Sequence, residues 1–416
     1  MATINIPQIR FKGFEGEWDK KILGEVVTIC SMKRVHQSDW TTSGIRFFRA
    51  RDVVAAFKNE EIEPIFISEE KYREYSSLCG KVSIGDLLVT GVGTIGVPYL
   101  IKDSNPIYIK DGNIIWMKNN GSFNGEFLYH CFCGNKVQQF IKETAGTGTV
   151  GTYTIANGKK TPIDFTSLPE QNKIASLFTS LDKQISTSEA KLDKLRTIKK
   201  TLLKKMFADQ DELTPQIRFK GFDGAWEEKR LGEIANRLTR RNSNNECDLP
   251  LTIASQYGLI DQREYFNFRV ASSNITNYFL LKKGEFAYNK STSDGYPWGS
   301  IKRLDRYPMG VLSTLYIIFE LKNNSVVSDY VVSYYNTKNW YNSVKKIAAE
   351  GARNHGLLNI SPIEFFTTNI QLPQNKKEQT KIASLFTSLD KQISNQEQKI
   401  EKLKAIKKTL LKKMFV

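Results

Sequence analysis

KIASLFTSLDKQIS at Lys173–Ser186 returns letter for letter at Lys381–Ser394, and this stretch decides the fold. Upstream, PQIRFKGFEGEWDKKILGEV at Pro7–Val26 returns as PQIRFKGFDGAWEEKRLGEI at Pro215–Ile234; downstream, KKTLLKKMF closes both copies at Lys199–Phe207 and Lys407–Phe415. Every offset is 208 residues, and two periods make 416, the full length. Each half therefore holds an entry motif, a middle of unlike sequence and a helical closing segment. A large unit present only twice is not a solenoid, which stacks several short ones. The pattern predicts a chain that folds as a pseudo-dimer of itself.

The closing segments carry a heptad seam. In the first copy it runs through Ile174, Phe178, Leu181, Ile185, Ser188, Leu192, Leu195, Lys199, Leu202 and Met206. In the second it runs through Ile382, Phe386, Leu389, Ile393, Gln396, Ile400, Leu403, Lys407, Leu410 and Met414. Eight of ten positions are apolar in each copy, with no Pro or Gly, which supports a coiled coil; the rival is an amphipathic helix packed on its own domain. The polar exceptions are candidates for fixing register or orientation. If the second helix packs back on the first, the pair is antiparallel and spans roughly 50 Å at about 1.5 Å per residue.

Composition is that of an ordinary soluble protein, 40% apolar and 25% charged. No run of 18 apolar residues exists, and the first ten residues lack the regions of a signal peptide, so the expected setting is the cytoplasm with no membrane partner. Five cysteines without framework spacing fit reduced thiols. The net charge is +16, of which residues 173–207 and 381–415 carry +6 each, with nine basic and three acidic residues apiece. Such a distribution points to a polyanion or an acidic protein partner along the helices, against a simple solvated lysine face.

The unlike middles share a layout. VSIGDLLVTG (Val82–Gly91), FLYHCFCGNKVQQFI (Phe127–Ile141), the loop AGTGTVGTYT (Ala145–Thr154) and TPIDF (Thr161–Phe165) match LKKGEFAYN (Leu281–Asn289), YVVSYYNTKNWYNSVKKI (Tyr330–Ile347), EGARNHGLL (Glu350–Leu358) and SPIEF (Ser361–Phe365) in order. Short β-branched runs with few long helical patterns predict α+β domains with a mixed, largely antiparallel sheet. The expected division is a first recognition domain over 1–166, a helical region over 167–208, a second domain over 209–372 and a second helical region over 373–416.

Catalytic motifs fare poorly. Gly91-Val-Gly93-Thr-Ile-Gly96 has dinucleotide-fingerprint spacing, but VPYLI follows where a phosphate-binding helix would begin, so a glycine-rich hairpin explains it better. No GxxxxGK[ST] and no adjacent prolines occur, which leaves no visible ATP engine and no Pro-Pro-aromatic loop for a flipped base. His130-Cys131-Phe132-Cys133 lacks a second ligand pair and sits in an apolar helical pattern, as buried packing does. No catalytic, cofactor or metal residue is expected in this chain.

What remains is loop chemistry suited to nucleic acid. Arg46, Arg49 and Arg51 lie near Trp40, Phe47 and Phe48; Thr147, Thr149 and Tyr153 populate the Gly/Thr loop. The second half offers Arg240, Arg241 and Asn242, then Asn289, Lys290, Ser291 and Tyr296, then Arg353, Asn354 and His355. Arg can bond guanine bidentately and Asn adenine, each discriminating by about 1–3 kcal/mol, while Lys, Ser and Thr position phosphates.

Two unlike domains, each closed by LPEQNKIASLFTSLDKQI or its copy and then KKTLLKKMF, with the GF-G-W-LGE entry motif twice, resemble the specificity subunit of type I restriction–modification enzymes. The resemblance covers the whole chain, and the doubled helical segment is its specific part. It implies two target-recognition domains, each reading half of an asymmetric interrupted sequence in double-stranded DNA, with the helices acting as a ruler for the gap. It also implies two methyltransferase subunits and two motor–nuclease subunits as partners, which would hold S-adenosylmethionine, ATP and Mg2+. Other readings of the same residues are a stand-alone two-domain DNA-binding regulator and a coiled-coil protein scaffold.

Overall fold

The computed structural model describes every residue except 1–4, 111, 146–150, 210–211, 255–257, 267, 269–270, 273, 324, 349–355 and 416. It divides into two compact units, Met1–Ala190 with Gln398–Val416, and Lys191–Glu397. Two long helices, Leu168–Lys205 and Lys376–Met414, each contribute to both units. No helix among the described residues is long and apolar enough to cross a membrane.

In the first unit the central sheet has the order Thr28–Cys30, Ile114–Lys118, Leu87–Thr90, Pro98–Leu100, antiparallel throughout. The second unit repeats it with Ala235–Leu238, Ile317–Leu321, Phe286–Asn289, Ser300–Arg303. Both central strands are apolar runs buried except, at most, for their last one or two residues, LLVT and IIWMK in one case and FAYN and IIFEL in the other, as expected of strands covered on both faces. Two consecutive helices cover each sheet, Gly125–Cys133 with Asn135–Thr144, and Ser328–Tyr335 with Tyr341–Ile347. A short ribbon joins each entry motif to the strand before the long helix: Asp19–Ile22 pairs Pro162–Phe165, and Glu227–Arg230 pairs Asn369–Leu372.

Beyond this shared frame the units differ. The first adds a four-stranded sheet, Trp40–Thr41, Ile65–Ile67, Ile45–Phe48, Ile107–Ile109, whose last pair is the one parallel ladder among the described residues. Two helices, Ala50–Lys58 and Glu69–Cys79, pack on it around Phe47, Ile67 and Tyr108, all 0% exposed. The second unit instead adds two hairpin-like pairs, Leu251–Ala254 with Gly258–Asp261 and Phe279–Lys282 with Met309–Leu312. The α+β expectation with mixed, largely antiparallel sheets holds.

One correspondence read from sequence slips by seven residues. PIDF at 162–165 is a strand, but its look-alike PIEF at 362–365 is a helix, and NIQL at 369–372 takes the strand's place. The cause is local. Ser361 caps the helix by accepting from Glu364 N (3.2 Å), Glu364 returns to Ser361 N (3.0 Å), and Pro362 occupies the first helical position. The structural equivalent in the first unit is the helix Ile155–Lys160, capped by Thr154.

The seam is buried as the heptads predict. Ile174, Phe178 and Leu181 share the first unit's core with Met414; Ile382, Phe386 and Leu389 share the second unit's core with Met206. Ile185, Leu192, Leu195 and Ile400 are also buried, and Leu202, Ile393, Leu403 and Leu410 partly so. Within each unit, therefore, the start of one long helix packs on the end of the other. Ion pairs confirm the antiparallel sense, because partner numbers fall as helix numbers rise. Asp182 pairs with Lys407 and Glu189 with Lys404 (2.8 Å) in the first unit. Asp390 pairs with Lys199, and Glu397 with Arg196 (2.7 Å), in the second. Such partly exposed pairs stabilise by about 0–1 kcal/mol each, so they select direction more than they hold the fold.

Candidate nucleic-acid interface

The duplicated entry motif is a clamp on the helix start. Arg10 donates from Nε and Nη2 to the two carboxylate oxygens of Glu170 (2.7 and 2.8 Å) and also to the Gly16 carbonyl. Arg218 repeats this with Glu378 (2.7 and 2.8 Å) and the Gly224 carbonyl (2.6 Å). Trp18 then seals against Phe127 and Phe415, with ring centroids 5.9 and 6.4 Å apart, as Trp226 does against Phe207 at 6.2 Å. Both glutamates lie in the first turn of their helix, where a negative charge also meets the positive end of the helix dipole. The clamp fixes the central sheets to the helices, and the sequence signalled it only as unexplained repetition.

Each sheet presents a hairpin turn bonded to the residues just before the short capped helix. In the first unit the Gly91–Gly96 turn joins Leu87–Thr90 to Pro98–Leu100, with Gly93 and Gly96 at φ of +71° and +77°. Tyr153 N donates to the Gly91 carbonyl and Gly91 N to the Asn113 carbonyl, both at 2.8 Å. A Cβ at Gly91 would lie 2.7 Å from the Tyr153 carbonyl, so close backbone approach explains this glycine, and the nucleotide-fingerprint spacing is a hairpin. In the second unit the turn after Asn289 is held by Thr292 N to the Gly356 carbonyl (2.8 Å) and Leu358 N to the Lys290 carbonyl (3.0 Å). Thr147, Thr149, Arg353, Asn354 and His355 lie outside the described residues.

The remaining candidates divide by exposure. Arg51 is exposed, and it lines a cavity of about 470 Å³ with Val92, Gly93 and Thr94 of the hairpin turn. Arg241 is exposed, over the Phe279 ring at 5.6 Å and bonded to the Asn277 carbonyl (2.6 Å). Ser291 is exposed, whereas Asn289, Lys290 and Tyr296 are half-buried around the second turn. Asn289 Oδ1 accepts from Ser291 N (3.0 Å), and Lys290 Nζ donates to the Ile360 carbonyl (3.2 Å).

Three candidates are buried against their own partners, and two more, Arg240 and Arg46, are paired while partly exposed. Tyr153 is 1% exposed, with its hydroxyl bonded to Thr161, and this burial raises its pKa to about 12. Arg49 is 7% exposed and bonds Asp52 through Nε (2.6 Å) while heading the helix Ala50–Lys58. Asn242 is fully buried and closes a turn, donating to the Cys247 carbonyl (2.8 Å) and accepting from Cys247 N (3.1 Å). Arg240 is held by Glu285 (2.7 and 2.8 Å). Arg46 is intermediate: it pairs with Asp52 (2.8 Å) and stacks over Phe48 at 5.4 Å. Burial had no signature in these polar stretches, because each side chain's partner lies outside the local pattern or mimics a solvated charge pair.

The His130 cluster is packing. His130 is fully buried with its ring 4.7 Å from Phe178, and burial, with Lys407 and Lys102 nearby, lowers its pKa to about 3. Cys131 and Cys133 are pushed up by burial, Cys133 to about 11, so both remain thiols near neutrality.

Residues 15–197 match the family described as type I restriction modification DNA specificity domain. The MjaIX type I restriction enzyme specificity subunit of Methanocaldococcus jannaschii is 29% identical over 161 residues, 36% of this chain and 35% of that one. A putative type I restriction enzyme specificity subunit of Haemophilus influenzae is 29% identical over 162 residues, 38% and 39% of the two. The matched stretch thus spans little over a third of the curated relatives' length. The crystal structure of the type I restriction–modification S subunit from M. genitalium shares the fold, with TM-score 0.60, 14% identity and 99% of each chain covered. Residues 15–197 thus carry a type I restriction modification DNA specificity domain, and the chain as a whole shares the fold of a type I specificity subunit.

Proposed function

We propose that this chain reads a bipartite, asymmetric DNA target for a type I restriction–modification complex, one half-site per unit. The observation that carries the reading is a sheet of the same strand order, with the same hairpin turn bonded to the residues before a short helix, occurring twice on unlike outer layers. A common frame with divergent edges suits two half-sites of unlike sequence, whereas the repeated seam and clamp suit partners that grip both halves alike. Of the candidate residues that are described, Arg51, Arg241 and Ser291 are exposed for base or phosphate contact, with Asn289 and Lys290 half-buried beside Ser291.

In this reading the chain catalyses nothing itself. The antiparallel helices set the spacer and dock two methyltransferase subunits, with two motor–nuclease subunits completing the assembly. S-adenosylmethionine, ATP and Mg2+ belong to those partners, and each unit presents an adenine for flipping. Footprinting of the chain together with its methyltransferase tests this. Two protected segments separated by an unprotected gap are expected. No protected site would leave a protein scaffold, and a site bound without the methyltransferase would favour a stand-alone regulator.

A further inference from the structure

The second unit contains a cleft of about 1600 Å³ between the first long helix and the edge strand Ser300–Arg303. We propose that this cleft binds an oligophosphate, a chain of phosphoanhydride-linked phosphates, either free or as part of a nucleotide. Three of its cations are already neutralised: Arg196 by Glu397 (2.7 Å), Lys199 by Asp390, and Arg303 by Asp305 and Asp329 (both 2.7 Å). Five lysines lining the cleft, Lys200, Lys204, Lys205, Lys302 and Lys338, have no carboxylate partner among the described residues. Against them stands one unpaired lining acid, Asp209.

Lys302 is the informative member. Its hydrogen-bond partner is a neutral amide, Asn336 Oδ1 at 2.9 Å. Burial, with the Lys199 ammonium close by, lowers its pKa to about 8. Asp390 lies near enough to oppose this shift but is itself paired with Lys199, so the recessed ammonium remains incompletely balanced, and a bound anion completes it. One anionic group does not satisfy the site, because Lys200 and Lys204 stand a full turn apart on the helix, about 6 Å. Lysines act as point charges on phosphate without demanding a planar fork, which matches this scatter of ammonium groups.

Lys200, Lys204 and Lys205 recur in the first unit as Lys408, Lys412 and Lys413, but Lys302 does not. The counterpart edge strand of the first unit is Pro98-Tyr99-Leu100 and carries no cation. A partner that grips both units alike accounts for the repeated helix lysines and not for Lys302 on the edge strand of one. A flexible phosphate chain reaches a recessed lysine more readily than the stiff backbone of a duplex does. Its occupancy would brace Ser300–Arg303, the strand that leaves the hairpin turn following Asn289.

The test titrates the full-length chain at pH 8 by calorimetry with inorganic tripolyphosphate, ATP and orthophosphate, in two buffers of different ionisation heat. Tripolyphosphate and ATP are expected to bind alike, and orthophosphate at least about tenfold more weakly. Because the anion holds Lys302 protonated, binding at pH 8 should take up about half a proton. Lys302→Met should abolish that uptake. The exposed double variant Lys200→Ala/Lys204→Ala, whose fold is not at stake, should weaken tripolyphosphate about tenfold. ATP binding without tripolyphosphate binding would overturn the proposal, as would absence of saturable heat or an uptake surviving Lys302→Met. So would a short duplex that displaces tripolyphosphate and binds Lys302→Met undiminished, which would mark a general DNA surface.

Discussion

Arg10→Ala removes one partner of a buried pair and leaves Glu170 behind. The Glu170 side chain is 1% exposed and that of Arg10 13%. Without Arg10 the carboxylate keeps only the Thr166 hydroxyl as a side-chain donor. Breaking a buried ion pair from one side costs about 3–5 kcal/mol. Arg10 retains some access to water, which can partly re-solvate the site, so the lower end, about 3 kcal/mol, is expected. For a unit of this size that lowers Tm by roughly 6–12 °C, at about 2–4 °C per kcal/mol. Hydrogen exchange on the full chain localises the effect. The Thr28–Cys30 and Ile114–Lys118 amides should lose protection, while those of Ala235–Leu238 and Ile317–Leu321 keep theirs. Arg218→Ala should give the mirror result through Glu378. Arg10→Met combined with Glu170→Met should recover most of the loss, since no charge is then stranded. A cost under about 1 kcal/mol, or equal loss of protection in both central sheets, would refute the clamp.

Lys407→Asp should destabilise the first unit by about 1 kcal/mol through repulsion with Asp182, and Asp182→Lys should restore it in urea titration; failure to restore would deny the antiparallel register. His130 has a folded pKa near 3, far below its ordinary 6.5, so the stability it contributes is present above pH about 6.5 and lost as pH falls towards 3. His130→Phe, packed on Phe178, should therefore flatten the acid limb of the pH–stability curve, and an unchanged limb would exclude His130 as its source. Gly91→Ala places a methyl 2.7 Å from the Tyr153 carbonyl and should cost about 1–3 kcal/mol by thermal melting, whereas Gly93→Ala, with open space, meets only the penalty of its positive φ.

The parts of the fold legible in sequence are those that periodicity or repetition marks. The heptads located Phe178 and Phe386, each buried in its unit's core, and the repeat located the paired frames. Reading PIDF and PIEF as equivalents failed because composition outweighed capping: Ser361-x-x-Glu364 was a start signal for a helix, seven residues before the strand. The helical stretch Phe127–Ile141 hid a break at Gly134, which separates two helices. At the candidate interface, Arg49, Asn242 and Tyr153 carry the residue types of a DNA edge, yet their partners Asp52, Cys247 and Thr161 hold them in the interior. Residue type gives the chemistry a side chain can do; its three-dimensional partners decide whether that chemistry remains available. Lys199 and Lys407 show the same point from the other side, since polar seam positions became cross-helix ion pairs once Asp390 and Asp182 were opposite them.

The central claim is that this chain alone chooses the sequence. Genome-wide mapping of N6-methyladenine in cells with and without it, the methyltransferase being present in both, tests that most directly. The account predicts a bipartite motif with two unlike halves that appears only with the chain, and one whose spacer shortens when matched heptads are deleted from both long helices. Methylation that persists at the same motif without the chain, or no interrupted motif with it, would contradict the account.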